Sequence, residues 1–230
     1  MGKRYKEEDI ISMFSNALTG HRIDTLYREE FINYLGITSD TNELYTEVVA
    51  GLLLEHIEEF NNIKTITREH TYKTPSHNGS TPTSESNREE ERIALSMFGK
   101  KYDYIGKIID YQIPLKNKRQ DKVGKIDLFS FDADKNELRL LELKGPENTE
   151  TLLRAVLEIA TYWHIVDKKK LCRDFGYPEN TAIRKAVLVF SGKAQHNEYQ
   201  QNPNTRKLMK KLDVGIYLIE NLYRMQINEL

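Results

Sequence analysis

The chain has 230 residues and a formal net charge of −1 at pH 7, with 39% hydrophobic and 30% charged residues. This balance is typical of a soluble globular protein, and no apolar run approaches the roughly 20 residues that a membrane-spanning helix needs. The polar start MGKRYKEED is unlike a secretory signal, and the single cysteine, Cys172, excludes an internal disulfide and a cysteine-based zinc site. We therefore expect a cytoplasmic protein without a membrane partner.

Apolar residues recur at helical spacing between Glu7 and Phe60, which predicts a small helical accessory domain over residues 1–73. Its widest apolar stripe lies in the segment NELYTEVVAGLLLEHIEEF. Such a stripe packs within the chain, pairs with a second copy in a homodimer, or binds a partner protein, and packing within the chain is the favoured reading. Residues 1–80 are acidic overall whereas residues 81–230 are slightly basic, so a phosphate-binding surface is expected in the later part.

Residues 74–86 are rich in Pro, Ser, Thr, Asn and Gly and are predicted to be a linker before a second domain, 87–230. That domain opens with a helix over ERIALSMFGK, preceded by a capping box of Ser86 with Glu89 or of Asn87 with Glu90. A strand over IGKIIDYQIPL follows, and then the basic run KNKRQDK. The basic run is suited to a phosphate backbone, although a solvated loop has the same composition.

The most informative stretch reads GKIDLFSFDADKNELRLLELK and predicts two strands joined by a polar turn. Because side chains alternate along a strand, Glu142 and Lys144 share one face while Leu141 and Leu143 share the other. A hairpin would bring Asp127 beside the charged pair. Two carboxylates and an ammonium group suit a magnesium-dependent reaction at a phosphate, whereas the tripeptide ELK alone is more often a solvated strand end.

After the hairpin, the pattern predicts a helix of about five turns over ENTETLLRAVLEIATYWHIVDKKK, capped at Asn148 or Thr149. Next come a buried strand over AIRKAVLVFSG, a polar loop over HNEYQQNPN, a short helix over NTRKLMKKL and a second buried strand over VGIYLIE. A strand, a crossover helix and another strand predict parallel pairing.

The segments GKID, ending at Asp127, and ELK, from Glu142 to Lys144, resemble the signature of the PD-(D/E)XK or restriction-endonuclease-like nuclease superfamily. This resemblance covers roughly residues 87–220. It implies an α/β fold with an αβββαβ core and a mixed sheet, preceded here by the small helical domain. The predicted order of helices and strands agrees with that core.

The resemblance implies a metal-dependent nuclease that hydrolyses the phosphodiester bonds of DNA. Asp127 and Glu142 would bind Mg²⁺, with Mn²⁺ as a substitute, and the backbone carbonyl of Leu143 would add a ligand. Lys144 would assist the attacking water. Nucleic acid, with DNA favoured, is the expected partner.

Further site residues are expected around this set. In the superfamily a glutamate of the first core helix joins the metal site, and the helical register selects Glu90, with Glu91 as the alternative. Both also suit the first turn of any helix, where acidic residues are favoured. Lys125, two residues before Asp127 on the predicted strand, would support the site or contact the substrate.

The predicted long helix carries Arg154, Glu158 and Tyr162 one turn apart. Glu158 and Tyr162 resemble the QxxxY element of one branch of the superfamily, the exonucleases associated with helicases and with adaptive immunity, and would support the site or contact the substrate. Glutamate stands here where that branch has glutamine, and an ion pair between Arg154 and Glu158 is an equal alternative.

Two other classes of protein fit the same sequence. One is a catalytically inactive nucleic-acid-binding module that keeps the nuclease fold. The other is a protein-interaction module that acts through its helical N-terminal region. The complete set of Asp127, Glu142 and Lys144 favours the nuclease, because a module without catalysis has no chemical need for all three.

Overall fold

The described strands form one seven-stranded mixed sheet in which each strand pairs with its neighbour in the chain. The computed structural model describes residues 4–19, 23–75, 77, 89–117, 124–221 and 226–230. Helices pack on both faces of the sheet, so the chain has the mixed α/β fold expected from its sequence. No helix in these ranges is both long enough and apolar enough to cross a membrane.

The strands divide into an antiparallel part and a parallel part. The pairs β1–β2, β2–β3, β3–β4 and β6–β7 are antiparallel, whereas β4–β5 and β5–β6 are parallel, as predicted for the strands that a helical crossover joins. Their bounds are β1 Lys101–Tyr102, β2 Gly106–Pro114, β3 Lys125–Asp132, β4 Glu137–Leu143, β5 Ala182–Phe190, β6 Val214–Asn221 and β7 Gln226–Glu229.

The helices precede, connect and cover these strands. They are α1 Glu7–Leu18, α2 Tyr45–Glu55, α3 Glu89–Met97, α4 Leu152–Ile165, α5 Lys168–Asp174, α6 Ala194–Gln201 and α7 Pro203–Leu212. Three 3₁₀ helices, Ile23–Arg28, Glu30–Asn33 and Ile57–Asn62, complete the described N-terminal part. The helical character predicted for that part is therefore confirmed in the residues that the structure describes.

Strands β3 and β4 form the predicted hairpin. Leu128 pairs with Leu141, and Asp132 pairs with Glu137 next to the turn. Leu141 lies in the apolar cluster under α3, whereas Leu140 lies in the cluster under α4. Even-numbered side chains of β4 therefore face α4.

The N-terminal helices share one apolar core with α4 and α7. Phe14 of α1 and Val49 of α2 belong to the same buried cluster as Ile159 of α4 and Leu208 of α7. The apolar stripe of this region thus packs within the chain, which was the favoured reading of the sequence.

A buried carboxylate also joins this region to the rest of the chain. Glu47 of α2 is 5% exposed and accepts hydrogen bonds from the backbone N–H of Asn204 at 2.7 Å and of Thr205 at 2.9 Å. The hydroxyl of Thr205 donates to it as well, at 2.9 Å. The first turn of α7 is therefore capped by a side chain from another helix, which satisfies amides that have no partner within α7.

Two predicted elements are wrong in their extent or type. The long helix begins at Leu152 with Thr151 as its N-cap, not with a cap at Asn148 or Thr149, and it ends at Ile165. Asp167 then caps the separate helix α5, because its side chain accepts the N–H of Lys170. The predicted polar loop HNEYQQNPN lies largely within α6, whose side chain Gln195 is fully buried.

Several predictions fall outside the described residues. Both candidate N-caps of α3, Ser86 and Asn87, lie outside them. Most of the predicted linker 74–86 and most of the basic run that begins at Lys116 also lie outside them. Within the linker, His77 is described, and its Nδ1 lies 2.6 Å from Oδ1 of Asp110.

Candidate functional site

Asp127, Glu142 and Lys144 meet at one end of the hairpin, as the sequence predicted. The Nζ of Lys144 lies 2.9 Å from Oε1 of Glu142. The backbone N–H of Leu143, between these two residues, donates to Oδ2 of Asp127 at 2.9 Å. The pairing of β3 with β4 is the cause, since it aligns the start of one strand with the end of the other.

The ammonium group of Lys144 is enclosed by carboxylates. Besides Glu142, it contacts Oε2 of Glu150 at 2.7 Å and Oε2 of Glu158 at 3.7 Å, and Lys144 is only 3% exposed. Burial would lower the pKa of Lys144, but the negative charges of Glu142, Glu158 and Glu150 raise that pKa well above its usual value. Lys144 is therefore a fixed positive charge at neutral pH.

The carboxylate of Asp127 is held by one donor on each oxygen. Nε2 of Gln112 donates to Oδ1 at 2.8 Å, and the N–H of Leu143 donates to Oδ2. Burial raises the pKa of Asp127 to about 7, although Lys144 and the N–H of Leu143 lower it. Asp127 thus changes charge near neutral pH.

Glu142 combines deep burial with an unsatisfied oxygen. It is 4% exposed, and its Oε2 has no hydrogen-bond partner among the described residues. Burial, and then the negative charges of Asp127 and Glu158, raise the pKa of Glu142 well above its usual value, against the effect of Lys144. A buried carboxylate oxygen without a donor is unfavourable, and a cation would relieve it.

An acidic cleft opens beside Asp127. It has a volume of about 390 Å³ and is lined by Glu89, Glu90, Glu91, Gln112, Asp127, Glu147 and Asn148. Oε1 of Glu90 accepts hydrogen bonds from the N–H of Gly145 at 2.9 Å and from Nδ2 of Asn148 at 2.7 Å. Both glutamates considered from the helical register, Glu90 and Glu91, therefore lie at the cleft, and Glu90 is anchored to the segment that follows β4.

Glu158 and Tyr162 approach the same cluster from α4. The hydroxyl of Tyr162 donates to Oε1 of Glu158 at 2.6 Å, and burial raises the pKa of Tyr162, with a further rise from Glu158. The hydroxyl of Tyr27 donates in turn to that of Tyr162 at 3.4 Å, which links the N-terminal part to the cluster. Arg154 pairs with Glu150 at 3.1 Å, so the alternative of an Arg154–Glu158 ion pair is not what the structure forms.

Lys125 is not drawn into the cluster. It is exposed at the start of β3 and pairs through its backbone with Pro114. Within the described part of the chain, its side chain makes no hydrogen bond or ion pair. Its predicted role as a support or substrate contact stays a prediction.

The site also contains residues that the sequence did not indicate. Gln112 binds Asp127 from β2, and Glu150 binds Lys144 from the segment before α4. Glu150 is a carboxylate close to the start of a predicted helix, which is a weak signal that could have been followed. Nothing in the sequence of β2 marks Gln112, because its contact depends on a backbone conformation that sequence patterns do not reveal.

The donor chemistry fits a divalent cation, although the described residues include no group of three or more His, Cys, Asp or Glu side chains arranged to hold a metal ion. Mg²⁺ is commonly held by one or two carboxylates and keeps several waters. Asp127 supplies a carboxylate that lines the open cleft, and Glu142 supplies a buried one whose Oε2 lacks a partner among the described atoms. These residues would hold the cation, with water as the remaining ligands.

Neither a protein-family model nor a curated protein nor a solved structure matches the chain.

Proposed function

We propose that the chain is a divalent-cation-dependent nuclease with a restriction-endonuclease-like core, hydrolysing phosphodiester bonds of DNA. The order α3, β2, β3, β4, α4, β5 supports the αβββαβ assignment. The parallel pairing of β4 with β5 and of β5 with β6 supports it as well, because the connections between them are helical. Function must still be argued from the site, since one fold supports many activities.

One observation carries the proposal. The acidic residues Asp127 and Glu142 and the ammonium of Lys144 converge at one end of the β3–β4 hairpin, and Oε2 of Glu142 is buried there without a hydrogen-bond donor among the described residues. A hairpin end whose charges are merely solvated has no reason to bury a carboxylate and leave it unsatisfied. In a cation-binding site, the bound cation would satisfy the oxygen that lacks a donor.

Each of the three residues has a role in hydrolysis. A Mg²⁺ ion, when bound, supplies Lewis acidity that polarises the phosphate and lowers the pKa of a bound water. Asp127 and Glu142 would hold that ion. Lys144 supplies positive charge against the negative charge that develops on the phosphate oxygens, and Glu150 and Glu158 keep its ammonium group in place.

Cleavage of supercoiled plasmid and of labelled linear duplex, single-stranded DNA and RNA in the presence of Mg²⁺ or Mn²⁺ tests the proposal. We expect DNA cleavage that EDTA abolishes. Asp127→Ala and Lys144→Ala are each expected to reduce the rate by about 10²–10³-fold, because each removes a group that stabilises the transition state.

The same hairpin offers matched controls. Asp134 and Lys135 lie in its turn at the opposite end, and Asp134 is exposed. The Asp134→Ala and Lys135→Ala variants are expected to cleave DNA at the rate of the wild type. Undiminished cutting by both Asp127→Ala and Lys144→Ala would refute the proposal, as would cutting that persists in EDTA.

A second candidate is a catalytically inactive nucleic-acid-binding module with the same fold. The observation that favours it is the enclosure of Lys144 by three carboxylates, which leaves its ammonium little freedom to meet a substrate. This candidate requires salt-sensitive DNA binding without cleavage and without a contribution from Mn²⁺. Calorimetric titration with Mn²⁺ and a DNA-binding assay at two salt concentrations distinguish it from the nuclease.

A further inference from the structure

Gln112 has a left-handed backbone conformation although it lies inside a β-strand. Its φ angle is 48°, and it belongs to β2, which runs from Gly106 to Pro114. A residue with a Cβ is strained in this region, which glycine adopts readily. Strained residues persist where their surroundings hold them, and they concentrate at functional sites.

Gln112 lies in β2 between Tyr111, which pairs with Leu128 of β3, and Ile113, which pairs with Ile126. Gln112 and Asp127 also line the same cleft. The strained residue is therefore a direct neighbour of a proposed cation ligand.

The contact between them is a hydrogen bond from Nε2 of Gln112 to Oδ1 of Asp127, at 2.8 Å. The other oxygen, Oδ2, accepts the N–H of Leu143 at 2.9 Å. With one donor on each oxygen, the carboxylate cannot rotate about its Cβ–Cγ bond without losing a hydrogen bond. Each oxygen keeps a second lone pair for another partner.

We propose that Gln112 is a positioning residue for the cation site: its amide holds the Asp127 carboxylate in the orientation that binds a divalent cation, and the strained backbone is retained because it places that amide. The inference rests on the proposed function. It adds that β2, as well as β3 and β4, determines the geometry of the site. Outer partners that orient a metal ligand typically contribute about 10–100-fold to metal affinity.

Two substitutions separate the amide from the backbone conformation. Gln112→Gly removes the amide and relieves the strain, whereas Gln112→Met removes the amide, keeps the volume and retains the strain. Lys107→Met, at an exposed position of the same strand, is the control. For each variant we would measure the melting temperature in EDTA and the Mn²⁺ affinity by isothermal titration calorimetry.

We expect both Gln112 variants to bind Mn²⁺ about tenfold or more weakly than the wild type, and Lys107→Met to bind it equally well. We expect the melting temperature of Gln112→Gly to exceed that of Gln112→Met by about 2–4 °C, because only glycine relieves the strain. A purely structural role would change the melting temperature and leave the Mn²⁺ affinity unchanged.

Three results would overturn the inference. Wild-type Mn²⁺ affinity in both Gln112 variants would overturn it while leaving the proposed function standing. Loss of affinity in Gln112→Gly alone would show that the backbone conformation, and not the amide, orients Asp127. Failure of the wild-type protein to bind Mn²⁺ would overturn both this inference and the proposed function. Should Gln112→Met fail to fold, wild-type Mn²⁺ affinity in Gln112→Gly would still overturn the inference, because that variant lacks the amide.

Discussion

At the scale of single residues, the burial of Asp127 makes the stability of the fold depend on pH. Its pKa is raised to about 7 in the folded chain, whereas an unfolded chain has a value of about 3.9. The folded state therefore binds this proton more tightly than the unfolded state does. The stability that this group contributes is largest below the unfolded pKa and is lost as the pH rises through the folded pKa.

Asp127→Asn removes that dependence. At pH 8 in EDTA we expect the variant to be more stable than the wild type by at least about 1 kcal/mol, seen as a melting temperature about 2–4 °C higher. At pH 4 the advantage should be absent, because the wild-type carboxyl is then protonated. Thermal melts of the wild type and the variant at both pH values make the test, with the exposed Asp134→Asn as control. A difference in melting temperature between Asp127→Asn and the wild type that is the same at pH 4 and pH 8 would contradict this explanation.

Gly124 shows how closely the backbone approaches the cluster. A Cβ at this position would lie 1.8 Å from the hydroxyl oxygen of Tyr162. We expect Gly124→Ala to displace Tyr162, to break its hydrogen bond to Glu158 and to lower the cleavage rate about tenfold or more. A matched Gly51→Ala variant, whose Cβ would make only an ordinary van der Waals contact of 3.6 Å with Nδ2 of Asn204, should keep the wild-type rate. Equal rates in the two variants would show that the position of Tyr162 does not matter.

At the scale of elements, the cap that α2 provides for α7 should be a major contribution to stability. Glu47→Ala leaves the N–H groups of the half-buried Asn204 and the buried Thr205 without an acceptor, which is expected to lower the free energy of unfolding by about 2–4 kcal/mol. Glu55→Ala, at the exposed end of the same helix, should change it by less than about 0.5 kcal/mol. Urea unfolding of both variants makes the comparison. A similar small decrease in the free energy of unfolding in each variant would argue against the cap.

The sequence predicted those elements whose pattern is local. The alternation of apolar and polar residues places Glu142 and Lys144 on one face of β4, and the polar turn between the strands closes the hairpin that brings Asp127 to them. Amphipathic spacing likewise indicated α1, α2 and α4.

The elements that were missed depend on contacts between distant segments. Helix α6 has little amphipathic pattern, yet Gln195 within it is buried and donates to the carbonyl of Glu150 at 2.6 Å. The left-handed Gln112 is equally invisible, because its contact with Asp127 is made across two strands. Tertiary contacts override local propensity at these positions.

At the scale of the whole molecule, the N-terminal helices are part of the apolar core that supports the site. Thr151, the N-cap of α4, donates its N–H to Oδ1 of Asn33 at 2.7 Å and its hydroxyl to the carbonyl of Ile32 at 2.9 Å. Helix α4 in turn carries Glu158 and Tyr162. Removing the N-terminal part would expose the apolar face of α4 and release its first turn.

We therefore expect a fragment of residues 87–230 to aggregate or to lack cooperative unfolding, because it would expose apolar residues that the full chain buries. Size-exclusion chromatography and thermal melting of the fragment, with the full chain as control, make the test. A monomeric fragment that melts cooperatively near the temperature of the full chain would contradict a shared core.

The central claim is that Asp127 and Glu142 together hold one divalent cation. Anomalous scattering from crystals soaked in Mn²⁺ tests it most directly. We expect a peak about 2.0–2.2 Å from an oxygen of each carboxylate, at the mouth of the acidic cleft. A peak bound elsewhere, with the Asp127 and Glu142 carboxylates free of metal at saturating Mn²⁺, would contradict the account.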